Sequence, residues 1–186
     1  MICWLFDCGL DVLHLRKPGS TVGECARLLD ALPASMLSHI VVHDHFQLCH
    51  DYGLGGVHLN RRNPSVPSFV RSASGHYTVS ASCHSIAEAE ERKTSVDYVF
   101  LSPIFDSISK QGYNSSYSPE MLCEAARRGI IDDRVVALGG VTVEAIPRLR
   151  EWHFGGAAFL GDVWQHAGTD VFDRHARELS RVLKTI

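Results

Sequence analysis

The sequence predicts an α/β fold in which parallel strands close into a (β/α)8 barrel, and three observations predict it. Apolar, strand-sized runs alternate with helical patterns along the whole chain, which implies parallel strands joined by right-handed crossovers. Several of those runs end in polar or charged residues, as expected where chemistry is distributed around the carboxyl ends of barrel strands. The run Tyr77-Thr78-Val79-Ser80-Ala81-Ser82-Cys83-His84 alternates so that Thr78, Ser80, Ser82 and His84 share one face, and Val79, Ala81 and Cys83 the other. Where helices cover a parallel sheet, such a polar face looks inward rather than to water. A doubly wound open sheet is the competing architecture, but no GxGxxG follows a strand, which weakens its dinucleotide-binding version.

In chain order, Ile2-Cys3-Trp4-Leu5-Phe6 reads as the late part of a helix, and strands follow near 11–16, 39–43, 56–59, 77–83, 97–101, 134–138 and 156–160. That is one strand short of a full barrel, so the first β-strand is expected to be missing from the N-terminus. Thr21 with Glu24, and Ser85 with Glu88, have capping-box spacing. Ser118-Pro119 gives a cap followed by a first-turn proline, and Gly129 marks the end of that helix. Thr142 is placed to cap a helix from Val143, and the last helix, from Asp170, carries Val171, Phe172, His175, Leu179, Val182 and Leu183 on one stripe.

With no linker or low-complexity stretch, residues 1–186 are expected to form a single domain. A net charge of −3 argues against nucleic-acid and membrane-surface partners, and the longest apolar runs are too short to span a bilayer. No secretion signal opens the chain, and six cysteines without CxxC spacing are expected to be reduced and buried, so the expected compartment is cytoplasmic.

The candidate site residues sit at strand ends. Val12, His14 and Arg16 alternate onto one strand face with Lys17 following, and an arginine with a lysine there can hold an anion. Gly139-Gly140 and Gly155-Gly156, with Gly161 after Leu160, supply glycine turns on the last two strands, where backbone amides can approach a phosphate. Asp44, after Ile40-Val41-Val42-His43, could hold Mg2+. The histidines carry a second idea: His43 and His45, with His14, His58 and His84 on neighbouring strands, would suit a transition metal in a barrel hydrolase. Taken singly, a histidine is more simply a hydrogen-bonded structural residue, and His39, His76, His153, His166 and His175 are assigned that role. Lys110 lies in a long loop from Ser102 to Gly112 that could close over phosphates.

Together these pieces resemble the thiamin phosphate synthase and thiazole tautomerase family of barrels, from about Asp11 to Trp164. The resemblance is carried by Leu13-His14-Leu15-Arg16-Lys17, Val41-Val42-His43-Asp44, Gly56-Val57-His58-Leu59, Ser80-Ala81-Ser82-Cys83-His84-Ser85, Asp97-Tyr98-Val99-Phe100-Leu101-Ser102-Pro103 and Ala137-Leu138-Gly139-Gly140-Val141-Thr142, in that order. It implies a thiamin biosynthesis enzyme, in the first place a synthase that joins a pyrimidine diphosphate to a thiazole phosphate and releases pyrophosphate. The alternatives it leaves are a thiazole tautomerase and a non-catalytic phosphate-binding relative.

By the same resemblance, Arg16 would hold pyrophosphate and Asp44 a Mg2+ ion, with Asn63 standing where the family has a second metal aspartate. Ser82, Ser107 and Lys110 would face the diphosphate, and backbone amides at Gly140, Leu160 and Gly161 would bind the thiazole phosphate. His84 matches the tautomerase proton-transfer histidine. His14 replaces a family glutamine, His43 an asparagine, and Pro18 a lysine, for which Lys17 is the nearest substitute. The partners implied are small phosphorylated thiazole and pyrimidine molecules, with self-association as a homo-oligomer left open.

Overall fold

The computed structural model describes residues 1–72, 77–106 and 115–184. The chain divides into two compact units, Met1–Ala81 and Ser82–Ile186. In the first unit the order is α1 (Ile2–Asp7), β1 (Leu13–Leu15), α2 (Val22–Asp30), α3 (Ala34–Leu37), β2 (Ile40–Val42), α4 (Gln47–Asp51), β3 (Gly56–Leu59) and α5 (Ser68–Ser72). β4 (Thr78–Cys83) then crosses the boundary. The second unit continues with α6 (Ile86–Arg92), β5 (Tyr98–Leu101), α7 (Pro119–Arg127), β6 (Val135–Ala137), a 3-10 turn at Val143–Ala145, α8 (Ile146–Glu151), β7 (Gly156–Ala157), α9 (Gly161–Trp164) and α10 (Val171–Lys184).

Each expected strand forms, and the pairing is parallel throughout. β1 pairs with β2, β2 with β3 and β3 with β4, while in the second unit β5 pairs with β6 and β6 with β7. Neighbours in sequence are thus neighbours in the pairing, joined by helical crossovers. These pairings lack the reversal of strand order that marks a doubly wound sheet. Ile40, Val41 and Val42 show why the central strands form: three β-branched residues in a row are at most 2% exposed, as a strand covered on both faces requires.

The helices begin largely where their caps lie. Thr21 and Glu24 make a full capping box, and α2 buries Cys25 and Leu29, one turn apart. Ser118 caps α7 ahead of Pro119, and Gly129 past its end takes φ +70. Two caps differ from expectation. Ser85 accepts the Glu88 N–H, but the Glu88 carboxylate takes the His84 N–H instead of returning to Ser85. After Thr142 comes a 3-10 turn with no side-chain cap bond, and α8 proper starts at Ile146 with Pro147 in its first turn. Phe172, Ala176 and Leu179 bury the stripe of α10, while Leu183 stays exposed.

The cysteines divide. Cys25, Cys49 and Cys83 are buried thiols, but Cys3 and Cys8 are half-buried and Cys123 is exposed, which corrects the expectation of six buried residues. Burial pushes the Cys49 and Cys83 thiols up to about 12.

A buried cation ties the end of α6 to the connection between α7 and β6. The Lys93 ammonium donates to Ile130 O at 2.7 Å, Gly129 O at 3.2 Å and Asp132 Oδ2 at 2.6 Å. Burial alone would raise the Asp132 carboxyl, but the Lys93 and Arg134 hydrogen bonds outweigh it and hold it below the usual range. Replacing Lys93 by Met strands two carbonyls and a carboxylate, so Lys93→Met is expected to destabilise the protein by roughly 3 kcal/mol in urea unfolding. A loss no larger than that of an exposed lysine-to-methionine change would show that the ammonium contributes little.

Candidate active site

The ladder register decides which side chains meet in the first unit. His14 lies beside Val41, Val41 beside Gly56, Val42 beside Val57, and His58 beside Ser80. Continuing β2 by one residue sets His43 beside His58, so His14, His43, His58 and Ser80 share one face. The side chains meet there. His14 Nδ1 lies 3.0 Å from His43 Nε2, and the His43 and His58 rings stack with centroids 4.0 Å apart and 18° between planes. His14 meets His58 edge to face at 5.3 Å, and His58 Nδ1 bonds Ser80 Oγ at 2.8 Å. One nitrogen from each ring lies within 4.8 Å of the other two.

Burial is the main force on these rings. It lowers His14 to about 3, with the nearby His58 adding to the effect. It lowers His43 to about 2, helped by His58, His14, Arg16 and Arg62, and His58 to about 4, helped by Arg16. All three are therefore neutral at physiological pH, each ring having one donor and one acceptor nitrogen.

Beside them lies a charged loop. Asn60, after β3, accepts the Arg62 and Asn63 N–H groups on its side-chain oxygen and donates Nδ2 to His43 O at 2.9 Å. This turn aims Arg62 at Asp44, whose two carboxylate oxygens receive the guanidinium at 3.1 and 3.0 Å. Asn63 Nδ2 donates to Asp44 Oδ1 at 2.9 Å and to His43 O at 3.1 Å. The expected pair of Asp44 and Asn63 is thus assembled, with an arginine on the carboxylate. Arg16 and Lys17 follow β1 and are exposed.

His45 leaves this group, which corrects the idea of a His43–His45 ligand pair. Its backbone takes φ +53, a turn out of the strand direction, and Nε2 bonds Ser20 O at 2.8 Å. Arg62 and Asn60 escaped the sequence reading. The signal that could have found them was the Asn-Arg-Arg-Asn run following a strand that ends in histidine and leucine.

In the second unit, His84 follows β4 and points Nδ1 at Ser102 O, 3.1 Å away. A carbonyl only accepts, so Nδ1 donates in this bond, with Ser102 Oγ 3.4 Å from the same nitrogen. Tyr117, also missed from the sequence, donates its hydroxyl to His84 O at 2.8 Å, and burial pushes its phenol up to about 12. Ser82 is half-buried on the same strand. Gly139 and Gly140 adopt φ +90 and +64, and a Cβ on Gly140 would strike Asp106 O and the Phe105 side chain. The protein's own loop therefore requires glycine here, whatever else the turn binds. Leu160 precedes α9 and is exposed, Gly161 opens the helix, and the buried Asp162 that follows pairs with His175 Nε2 at 2.6 Å. That partner bears out a structural role for His175, as the bond from His39 Nδ1 to Asp11 O does for His39. Ser107, Lys110 and His76 lie outside the described residues.

A family model described as thiamine monophosphate synthase matches residues 4–163. Among curated relatives, the thiamine-phosphate synthase of Listeria welshimeri is 32% identical over 120 residues, 63% of this chain and 55% of that protein. The thiamine-phosphate synthase of Caldicellulosiruptor bescii is 23% identical over 97% of this chain and 82% of its own length. The match spans 55% of the Listeria welshimeri protein and 48% of a thiamine-phosphate synthase of Listeria monocytogenes, so the chain covers about half the length of these relatives. A solved structure described as thiamine phosphate pyrophosphorylase from Bacteroides thetaiotaomicron is 39% identical, with a TM-score of 0.84 over 98% of this chain and 88% of its own. One from Pyrococcus furiosus with the same description, at 18% identity and a TM-score of 0.76, shows the shared fold.

The neutral rings give a pH prediction for metal-free protein. The unfolded chain binds histidine protons near pH 6.5, whereas the folded rings resist them to about 4 or lower. Stability is therefore complete above pH 6.5 and lost as pH falls toward 4, each ring contributing up to about 1.4 kcal/mol per pH unit. Urea unfolding at a series of pH values, with a chelator present, is expected to show a slope steeper than one proton. A flat profile between those limits would mean that the folded rings accept protons freely.

Proposed function

The chain belongs to the thiamine monophosphate synthase family, and from that premise we propose that it catalyses thiamin phosphate synthase-type condensation of a hydroxymethylpyrimidine diphosphate with a thiazole phosphate. The bond between the pyrimidine methylene and the diphosphate oxygen breaks, with its electron pair leaving on pyrophosphate. The thiazole nitrogen then uses its lone pair to close the new carbon–nitrogen bond. Catalysis amounts to neutralising the leaving group and sheltering the carbocation.

The observation that carries this proposal is the Arg62–Asp44 pair past β3 and β2, with Arg16, just past β1, acting together with Arg62 on His43. Arg16 would grip the pyrophosphate with Lys17 as a second cation, and His14 and His43 would line its binding site. In the second unit, Ser82, Ser107 and Lys110 would contact the diphosphate. The amides of Gly140, Leu160 and Gly161 would take the thiazole phosphate, and the lone pair on His84 Nε2 would serve a proton at the reacting centre.

The donor set of one carboxylate and one amide is thin for Mg2+, yet sufficient for an ion that keeps phosphate oxygens as its other ligands. Asp44 and Asn63 would hold the ion, whose chemistry there is charge neutralisation of the diphosphate. Arg62 must first leave Asp44, which frees its charge for the phosphates. Residues 1–186 are proposed to act as one barrel domain of the (β/α)8 type in the cytoplasm, on small phosphorylated substrates and with room for self-association. No helix among the described residues is long and apolar enough to cross a membrane.

Calorimetric titration of pyrophosphate, with and without Mg2+, tests the assignment. Arg16→Ala is expected to weaken pyrophosphate binding about 10- to 100-fold, the worth of a charge-assisted hydrogen bond, and to leave thiazole phosphate binding unchanged. Asp44→Asn is expected to remove the Mg2+ dependence alone. Wild-type protein that takes thiazole phosphate but no pyrophosphate would contradict the synthase.

A further inference from the structure

We infer that His14, His43 and His58 form a binding site for a divalent transition metal, Zn2+ in the first instance, with a fourth position for an anionic oxygen ligand. The site shares His14 and His43 with the pyrophosphate site proposed above, but metal binding is read by its own spectrum and does not require the condensation to occur.

Geometry comes first. Zn–N bonds of about 2.0–2.1 Å put two nitrogens of a tetrahedral site roughly 3.4 Å apart. His14 Nδ1 and His43 Nε2 are already 3.0 Å apart, and the ligand atoms of the whole trio fall within 4.8 Å of one another. Side-chain rotation of an ångström or so would complete the triangle, with the ion taking the place of the His14–His43 hydrogen bond.

The donor chemistry discriminates among cations. Neutral imidazoles suit zinc, copper, nickel and iron, whereas Mg2+ and Ca2+ take oxygen ligands. The trio contains no carboxylate, and so differs in kind from the neighbouring Asp44 and Asn63.

The ligands are also held as metal ligands usually are, by a surrounding set of hydrogen bonds. Ser80 Oγ binds His58 Nδ1, which fixes the orientation of that ring. The His43 backbone is fixed on both sides, its N–H on Leu15 O at 3.2 Å and its carbonyl under the side-chain amides of Asn60 and Asn63. The three ligands come from β1, β3 and the residue after β2, which are rigid positions rather than loop tips.

Charge fixes the class of the fourth ligand. Three neutral rings leave the ion its full double charge, and Arg16 acts electrostatically on both His43 and His58. The adjacent carboxylate, Asp44, is already matched by Arg62. Hydroxide, phosphate or diphosphate oxygen is therefore favoured over a neutral ligand.

The test uses the full chain freed of metal by a chelator. Co2+ is titrated in while its visible ligand-field absorption is followed, and Zn2+ is then added as competitor. About one equivalent of Co2+ is expected to give the intense bands of a tetrahedral ion, displaced by Zn2+ and indifferent to excess Mg2+. His14→Ala and His43→Gln, each checked for folding by circular dichroism, are each expected to weaken binding about 100-fold or more. His50→Ala, at an exposed histidine beside Asp51, is expected to change nothing. Weak octahedral absorption, binding that fails to saturate near one equivalent, or equal affinity in folded His14→Ala protein would overturn the site. The wild-type spectrum decides the matter even if both variants misfold.

Discussion

The hydrogen bond between His58 and Ser80, 2.8 Å long with both residues 0% exposed, is what the first unit is organised around. An imidazole and a hydroxyl buried without partners would each cost on the order of 1–3 kcal/mol, so the two strands that carry them are tied to one register. A slip of one residue between the two strands would set Ser80 beside Val57 or Leu59 and leave it on the opposite face from His58, breaking the bond. His43 stacks on His58 from one strand over, and His14 reaches His43 from the next. One satisfied polar pair, with the rings that pack on it, thereby links four strands.

The charges around this face are arranged with the same economy. Asp44 would be a lone carboxylate at a strand end, and the Asn60 turn brings Arg62 onto both of its oxygens. The same turn clamps the His43 carbonyl, so the loop carrying Arg62 and the histidine cluster share their supports. In the second unit the ammonium of Lys93 meets Asp132 and two carbonyls, and Asp162 meets His175. In every case the buried charge or ring arrives with its partner from another element, which is how a polar interior avoids its desolvation penalty.

Glycine has two meanings here. At Gly140 the backbone takes a positive φ against Phe105 and Asp106, so the turn is required by the protein before any phosphate enters. At Gly56, inside β3, φ is ordinary, but a Cβ would run into the Thr78 carbonyl of the next strand. The first position is compatible with a ligand site and the second is simple strand packing, although both read as glycine at a strand.

By itself the sequence determined the period of the fold and much of the chemistry at its strand ends. Alternating apolar runs and capped helical patterns set the seven strands, because local propensity and hydrophobic period act over a few residues. The alternation along β4 was legible for the same reason, although of its polar face only Ser80 is buried, with Ser82 half-buried and Thr78 and His84 exposed. Which histidines gather was decided only in three dimensions. His43 and His45 look equivalent in the chain, but a left-handed backbone at His45 sends it to Ser20 while the ladder register carries His43 to His14 and His58. Arg62 on Asp44 was likewise out of reach, since an Asx turn must fold before the two residues, 18 apart in sequence, can meet. Register and loop closure are long-range constraints, and no window of sequence contains them.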